Sequence, residues 1–169
     1  MSRRSFRLFL VTLFVVIVFS YIVWNDKAVG RPAVLGEGAS KVYLVERVID
    51  GDTVELATGE KVRYLGIDTP ESVKPNTPPQ CFSKDAYKEN RDLVEGKYVR
   101  LETDISERDK YGRLLRYVYV DDLFVNEFLV KEGYAVSKWY KPNDKYKELI
   151  DAAQEYAVTA DLGLWKFCD

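Results

Sequence analysis

Residues 41–67 read KVYLVERVIDGDTVELATGEKVRYLGI. The run KVYLVERVI is rich in β-branched and aromatic side chains, which pack well on a pleated, half-buried surface, and it predicts a strand. Asp50-Gly51-Asp52 interrupts it, TVEL resumes extended structure, and Thr58-Gly59-Glu60 turns the chain again before KVRYLGI. Three strands joined by short glycine-containing turns make an antiparallel meander.

Downstream, a loop carrying Pro75, Pro78 and Pro79 leads to a helix expected over about 83–94 and stopped by Gly96. KYVRLET predicts a fourth strand, DISERDKYG a polar loop, and RLLRYVYV a fifth strand that turns at Asp121-Asp122. VNEFLVKE predicts a short helix closed by Gly133. Beyond Pro142, apolar residues from Tyr146 and Leu149 to Ala157 and Ala160 recur at helical spacing, and Gly163 is expected to end that helix. Five strands with helices after the third and the fifth predict an α+β domain over 41–169. Its architecture would be a five-stranded Greek-key barrel of the OB kind with three helices.

The start of the chain is different. Arg3, Arg4 and Arg7 precede Leu8–Trp24, 17 residues without a charge. As a helix this run would span about 26 Å, near the lower limit for a bilayer core of roughly 30 Å. It is longer than the apolar segment of most cleaved signals, and Trp24 suits a membrane interface. Ala28-Val29-Gly30, however, offers a cleavage site of small residues. Residues 1–24 therefore read as a signal-anchor helix or a signal peptide, and residues 25–40 as a glycine-containing linker. Either reading exports the rest of the chain, giving a single-pass membrane protein or a secreted one.

Hydrophobic residues make up 47% of the 169, enough for a real core. There is no histidine, which excludes Ser-His-Asp hydrolases, Cys-His proteases and histidine-based zinc sites. Cys81 and Cys168, 87 residues apart, fall in a segment expected outside the reducing cytoplasm and predict a disulfide. Residues beyond Trp24 hold 22 basic against 27 acidic side chains, a net of −5. Binding nucleic acid by bulk electrostatics would require the opposite sign. Positive charge must be concentrated locally, or a cation recruited.

The acids are unevenly placed. Asp50 and Asp52 flank Gly51 between the first two strands, while Asp68 and Glu71 end the third, in RYLGIDTPES. A tight meander brings both places to one edge of the sheet. Four crowded carboxylates repel and raise one another's pKa, and a hard divalent cation with oxygen ligands removes that penalty. Outside the cell Ca²⁺ is the natural candidate. Taken singly, DGD is an ordinary hairpin turn and DTPE an ordinary helix start. Arg63 and Asp68 are five apart, so a regular strand would point them to opposite faces. An irregularity at Gly66 is therefore expected. Trp139 and Tyr140, in a loop with Lys138 and Lys141, are candidates for base stacking, whereas Tyr117, Tyr119, Phe124 and Phe128 read as core.

Together, VIDGDTVEL, VRYLGIDTPES, DKYGRLLRYVYV, VNEFLVKEG, YKPN and the closing GLW resemble the staphylococcal nuclease (thermonuclease) family, in the same order and at similar spacing. The resemblance implies a monomeric Ca²⁺-dependent nuclease that cleaves P–O5′ bonds of DNA, RNA or both and leaves 3′-phosphate ends. Asp52 and Asp68 would bind Ca²⁺ through carboxylates and Thr69 through its carbonyl. Glu71 would activate the attacking water, and Arg63 and Arg113 would grip the phosphate. Lys110 and Tyr111 match positions that hold a terminal phosphate, and Asp50 a supporting acid. Tyr140 is the remaining substrate-binding candidate. Lys138 departs from the family, which often has a tyrosine there.

Two other readings compete. A catalytically inactive OB-fold nucleic-acid-binding module would usually have lost part of the Asp52, Asp68, Glu71, Arg63 and Arg113 set, which is intact here. A structural Ca²⁺ site would leave Arg63, Glu71 and Arg113 without a task. The net acidity predicts weak general affinity for duplex. Single-stranded DNA should be cut faster than rigid duplex at matched salt, and equal rates would count against this.

Overall fold

The computed structural model describes residues 41–71 and 78–168. The meander forms as expected: β1 (Val42–Asp50) pairs antiparallel with β2 (Thr53–Leu56), and β2 with β3 (Lys61–Tyr64). Val45, Val54 and Val62, one from each strand, are fully buried. β1 serves two neighbours, because its first residues, Val42–Leu44, pair with β5 (Tyr98–Glu102). Register shifts at Val45/Arg47 and Val48/Asp50 bend it between them. Such irregularities sharpen the local twist and let one strand turn a barrel corner.

β5 pairs antiparallel with β6 (Leu114–Val120), and β6 returns parallel to β3. The ring β3–β2–β1–β5–β6 is thereby closed, a five-stranded barrel of the OB kind. After the Asp121-Asp122 turn, β7 (Leu123–Phe124) folds back on β6. Tyr117 and Tyr119 are buried, with Phe124 and Phe128 packed partly buried against the core, so all four belong to it.

α1 occupies Ser83–Val94, the expected span, and buries Ser83, Ala86, Asn90 and Val94 at the three-and-four spacing of one helical stripe. α2 (Val125–Lys131) packs against β6 and against α3 (Lys147–Thr159). Two details of α3 differ from expectation. Ile150, Ala153 and Ala157 are buried, but Leu149 is 48% exposed and Ala160 lies beyond the helix end. Helical spacing alone does not distinguish a core position from its neighbour on the rim. The helix also stops at Thr159, and Gly163 instead precedes a further turn, α4 (Leu164–Phe167). The Leu164 N–H donates to the Gly133 carbonyl at 2.8 Å, so the chain end docks against the end of α2.

Cys81 and Cys168 are disulfide-bonded, with Cα atoms 5.8 Å apart, which ties the entrance of α1 to the last residues of the domain. Phe82 stacks on Phe167 and Tyr134 beside that bond. The expected hydrophobic helix over 1–24 and the linker over 25–40 lie outside the described residues. Among the described residues, no helix is long and apolar enough to cross a membrane.

KVRYLGI is not one strand. It breaks after Tyr64 and resumes as β4 (Ile67–Asp68), which pairs with β8 (Val136–Ser137). The break sits at Leu65-Gly66, where Gly66 has φ +75°. A Cβ there would stand 2.4 Å from the Trp139 ring. Gly66→Ala would thus combine a left-handed backbone penalty of about 1–2 kcal/mol with overpacking of about 1–3 kcal/mol. Gly59, at φ +82° with nothing within 4 Å of a built Cβ, gives the reference. Denaturant melts should show Gly66→Ala costing clearly more than Gly59→Ala; equal costs would mean that Trp139 does not buttress the break.

Candidate active site

The strand break aims two segments at each other. Arg63, near the end of β3, reaches across it: Nη1 donates to the carbonyls of Tyr64 and Ile67 at 3.1 and 3.0 Å. The same guanidinium meets Asp52 Oδ2 at 2.8 Å through Nη1 and Asp68 Oδ1 at 2.6 Å through Nη2. Carboxylates from the β1–β2 turn and from β4 therefore share one planar cation, a geometry that a lysine could not copy. Four crowded acids were expected; here two meet on Arg63. Asp50 stays beside Asp52 in the cleft lining, accepting the Asp52 N–H at 3.1 Å, and Glu71 lies at the exposed rim.

Asp52 is the buried member, 4% exposed. It accepts the Thr69 N–H at 2.9 Å and the Thr53 hydroxyl at 3.2 Å. Thr69 lies so close to the turn that a Cβ on Gly51 would stand 2.6 Å from its Oγ1, so only glycine fits there. Burial pushes the Asp52 carboxyl up from its ordinary 3.8 to about 7, outweighing the attraction of Arg63, and the nearby Asp50 charge pushes the same way. A buried carboxyl held in this condition favours an arriving cation. Among the described residues, no three acidic or sulfur-bearing side chains converge as a ready-made cage. Two carboxylates on separate segments, with backbone and water oxygens to complete a shell, still suit a hard ion such as Ca²⁺.

Asp50, Asp52, Arg63, Asp68, Glu71 and Arg113 line one cleft of about 650 Å³. Lys110, Tyr111, Lys138 and Tyr140 line the same cleft. Arg113 is paired with Asp109, Nε to Oδ2 at 2.7 Å, and reaches the Thr53 hydroxyl with Nη1 at 3.5 Å. The ion pair and the cleft position thus coexist. Tyr111 and Tyr140 are 72% and 65% exposed, with their rings available. Trp139 is not comparably available. It is partly buried, its Nε1–H is held by Ser137 Oγ and Asp151 Oδ1 at 2.8 and 2.9 Å, and its ring backs Gly66. Its task is support, which leaves Tyr140 as the stacking candidate in that loop.

Several positioning roles were not read from the sequence. Asn90 is fully buried on α1, donating to the Asp50 carbonyl at 3.1 Å and accepting the Tyr64 hydroxyl at 2.9 Å, which fixes the DGD turn against β3. A polar residue inside the apolar stripe of α1 was its only sequence signal. Asn126 donates to the Leu65 carbonyl at 2.9 Å and accepts the Val118 N–H, clamping the strand break to β6. Asp109 accepts the N–H groups of Tyr111 and Arg113 at 2.9 and 3.0 Å, so it shapes the loop that presents both. Partial burial pushes the Asp109 carboxyl up, but hydrogen bonds from Arg113 and Tyr111 hold it below its usual range.

The Asp52 environment sets a pH dependence. In the absence of divalent cation, the folded carboxyl keeps its proton up to about 7, whereas an unfolded one has lost it above 3.8. Its contribution to stability is full below the lower value and is lost as pH rises through the window. In chelator, Asp52→Asn should therefore gain melting temperature relative to wild type between about pH 4 and pH 7. A constant difference across that range would contradict the assignment.

A profile described as "Staphylococcal nuclease homologue" matches residues 61–167. The chain is 44% identical over 162 residues to the "Thermonuclease" of Staphylococcus intermedius, covering 94% of this chain and 95% of that protein. It is 40% identical over 153 residues to the "Thermonuclease" of Staphylococcus hyicus, covering 89% of this chain and 90% of that one. It is also 46% identical over 126 residues to "Endonuclease YncB" of Bacillus subtilis, covering 72% of this chain and 60% of the relative. With the closed barrel and the arginine-bridged carboxylates in place, these likenesses assign the chain to the staphylococcal nuclease family.

Proposed function

We propose that the protein is a Ca²⁺-dependent nuclease that hydrolyses phosphodiester bonds of DNA, RNA or both, leaves 3′-phosphate ends and acts outside the cytoplasm. The observation that carries this reading is the bridge from Arg63 to both Asp52 and Asp68, in a cleft that also holds Glu71 and Arg113. The carboxylates of Asp52 and Asp68, with the Thr69 carbonyl, are the residues to hold Ca²⁺. Bound there, the ion would neutralise the acids and supply Lewis-acid polarisation to the phosphate. Asp50 supports the site by fixing the Asp52 amide.

The remaining chemistry belongs to the side chains. Glu71, at the cleft rim, takes a proton from the attacking water, whose oxygen forms the new bond to phosphorus. The P–O5′ bond breaks, the 5′ oxygen takes a proton from solvent, and Glu71 later returns its own to solvent. Arg63 and Arg113 present forked donors to the non-bridging oxygens, where negative charge grows. Lys110 and Tyr111 hold the neighbouring phosphate, and Tyr140 offers an exposed ring to a base. Action outside the cytoplasm is supported by the Cys81–Cys168 bond, which persists in oxidising compartments, and by the arginine-led apolar run at residues 1–24. That run leaves the membrane-anchored and the secreted forms as the two arrangements.

Purified protein should digest single-stranded DNA with Ca²⁺ and stop on chelation. Glu71→Gln should lose about 10²–10⁴ in kcat, and Arg113→Lys about 10²–10³. The product ends should resist polymerase extension until treated with a phosphatase. Undiminished cutting in chelator, or ends extended directly, would refute the reading.

A further inference from the structure

Asp68 is held by two cations, not one. Arg63 Nη2 stands 2.6 Å from its Oδ1, and Lys138 Nζ stands 2.8 Å from its Oδ2. The position of Lys138 is set by the backbone. β8 pairs with β4 in the register Ile67↔Ser137 and Asp68↔Val136, and the Lys138 N–H donates to the Gly66 carbonyl at 2.9 Å. The next residue, Trp139, is locked by Ser137 and Asp151. The lysine stem therefore starts beside Asp68 whatever the solvent does.

The two partners are unequal. The Arg63 side chain is 14% exposed and shares three further acceptors, the Asp52 carboxylate and two backbone carbonyls. The Lys138 side chain is 45% exposed against 34% for Asp68, and its ammonium rides on a flexible four-carbon stem. If Asp68 is to give an oxygen to an ion, Oδ2 is the oxygen released at least cost, because its partner is better solvated and less committed. A place for the displaced ammonium lies close by: the Tyr140 ring centroid is 5.8 Å from Nζ, in the lining of the same cleft.

We propose that Lys138 is an internal competitor for the divalent cation at Asp68, so that its ammonium sets the cation concentration at which the site fills. The idea rests on the calcium reading above. A neutral side chain at 138 would leave Asp68 Oδ2 open and remove a positive charge facing the incoming ion, so cation binding should tighten. For a partly exposed pair the expected gain is about 3- to 10-fold in affinity.

The test is titration calorimetry of chelator-treated protein with Ca²⁺ at fixed ionic strength and without substrate. Wild type, Lys138→Gln, Lys138→Met, Lys138→Arg and Lys141→Gln are compared, with melting curves in chelator checking that each is folded. Both neutral variants at 138 should bind Ca²⁺ about 3- to 10-fold more tightly, while Lys138→Arg stays within about twofold of wild type. Lys141 lines the same cleft without a bond to Asp68 in the structure, so Lys141→Gln should also stay within about twofold. Unchanged or weaker binding in the neutral variants would overturn the proposal. An equal gain in Lys141→Gln would do so too, since it would reduce the effect to the general field. If wild type and every variant bind no Ca²⁺, the calcium reading fails and takes this inference with it.

Discussion

A single guanidinium, that of Arg63, spans the gap between two carboxylates that the chain delivers from different directions. Asp52 arrives on the β1–β2 turn and Asp68 on β4, after the break at Leu65-Gly66. Without a shared cation these groups would repel across a poorly solvated corner, where burial raises the Asp52 carboxyl to about 7 even beside Arg63. With it, two loop ends are held in register. The same interaction that permits the fold to close here also prepares an anionic cleft edge for a metal ion and a phosphate.

The rest of the domain keeps that bridge in place. Asn90 anchors the DGD turn from below, Asn126 pins the strand break to β6, and the Trp139 ring fills the space that Gly66 leaves. Each support comes from a different helix or loop, so the site is built by the closed barrel as a whole. The Cys81–Cys168 bond adds a distant tie between the start of α1 and the last residues. Closing a loop of that length stabilises a domain by roughly 4–5 kcal/mol on a chain-entropy basis.

Much of this could be read from the sequence, for identifiable reasons. β-branched runs punctuated by DGD and TGE dictated the meander, and the parity clash between Arg63 and Asp68 points to the break at Gly66. The span of α1 followed from the proline-bearing loop before it and from Gly96. What stayed hidden depended on tertiary contact. Helical spacing could not show that Leu149 faces solvent, nor that a turn of helix follows Gly163. Trp139 looked like a stacking surface until its indole N–H found Asp151, a partner on another element. Asn90 and Asn126 are ordinary polar residues in a string of letters and become structural only when a carbonyl far along the chain needs a donor. The cation at Asp68 Oδ2 was equally invisible, because only the β4–β8 ladder brings Lys138 to it.

Local concentration of charge also reconciles an acidic chain with an anionic substrate. Six basic side chains line the cleft beside its five acids, so affinity comes from a few directed contacts. The account is tested most directly by anomalous diffraction from crystals soaked in Mn²⁺ as a surrogate for Ca²⁺. It predicts one strong peak within coordination distance of both the Asp52 and the Asp68 carboxylates. A peak that touches only one of them, or that lies elsewhere on the protein, would contradict it.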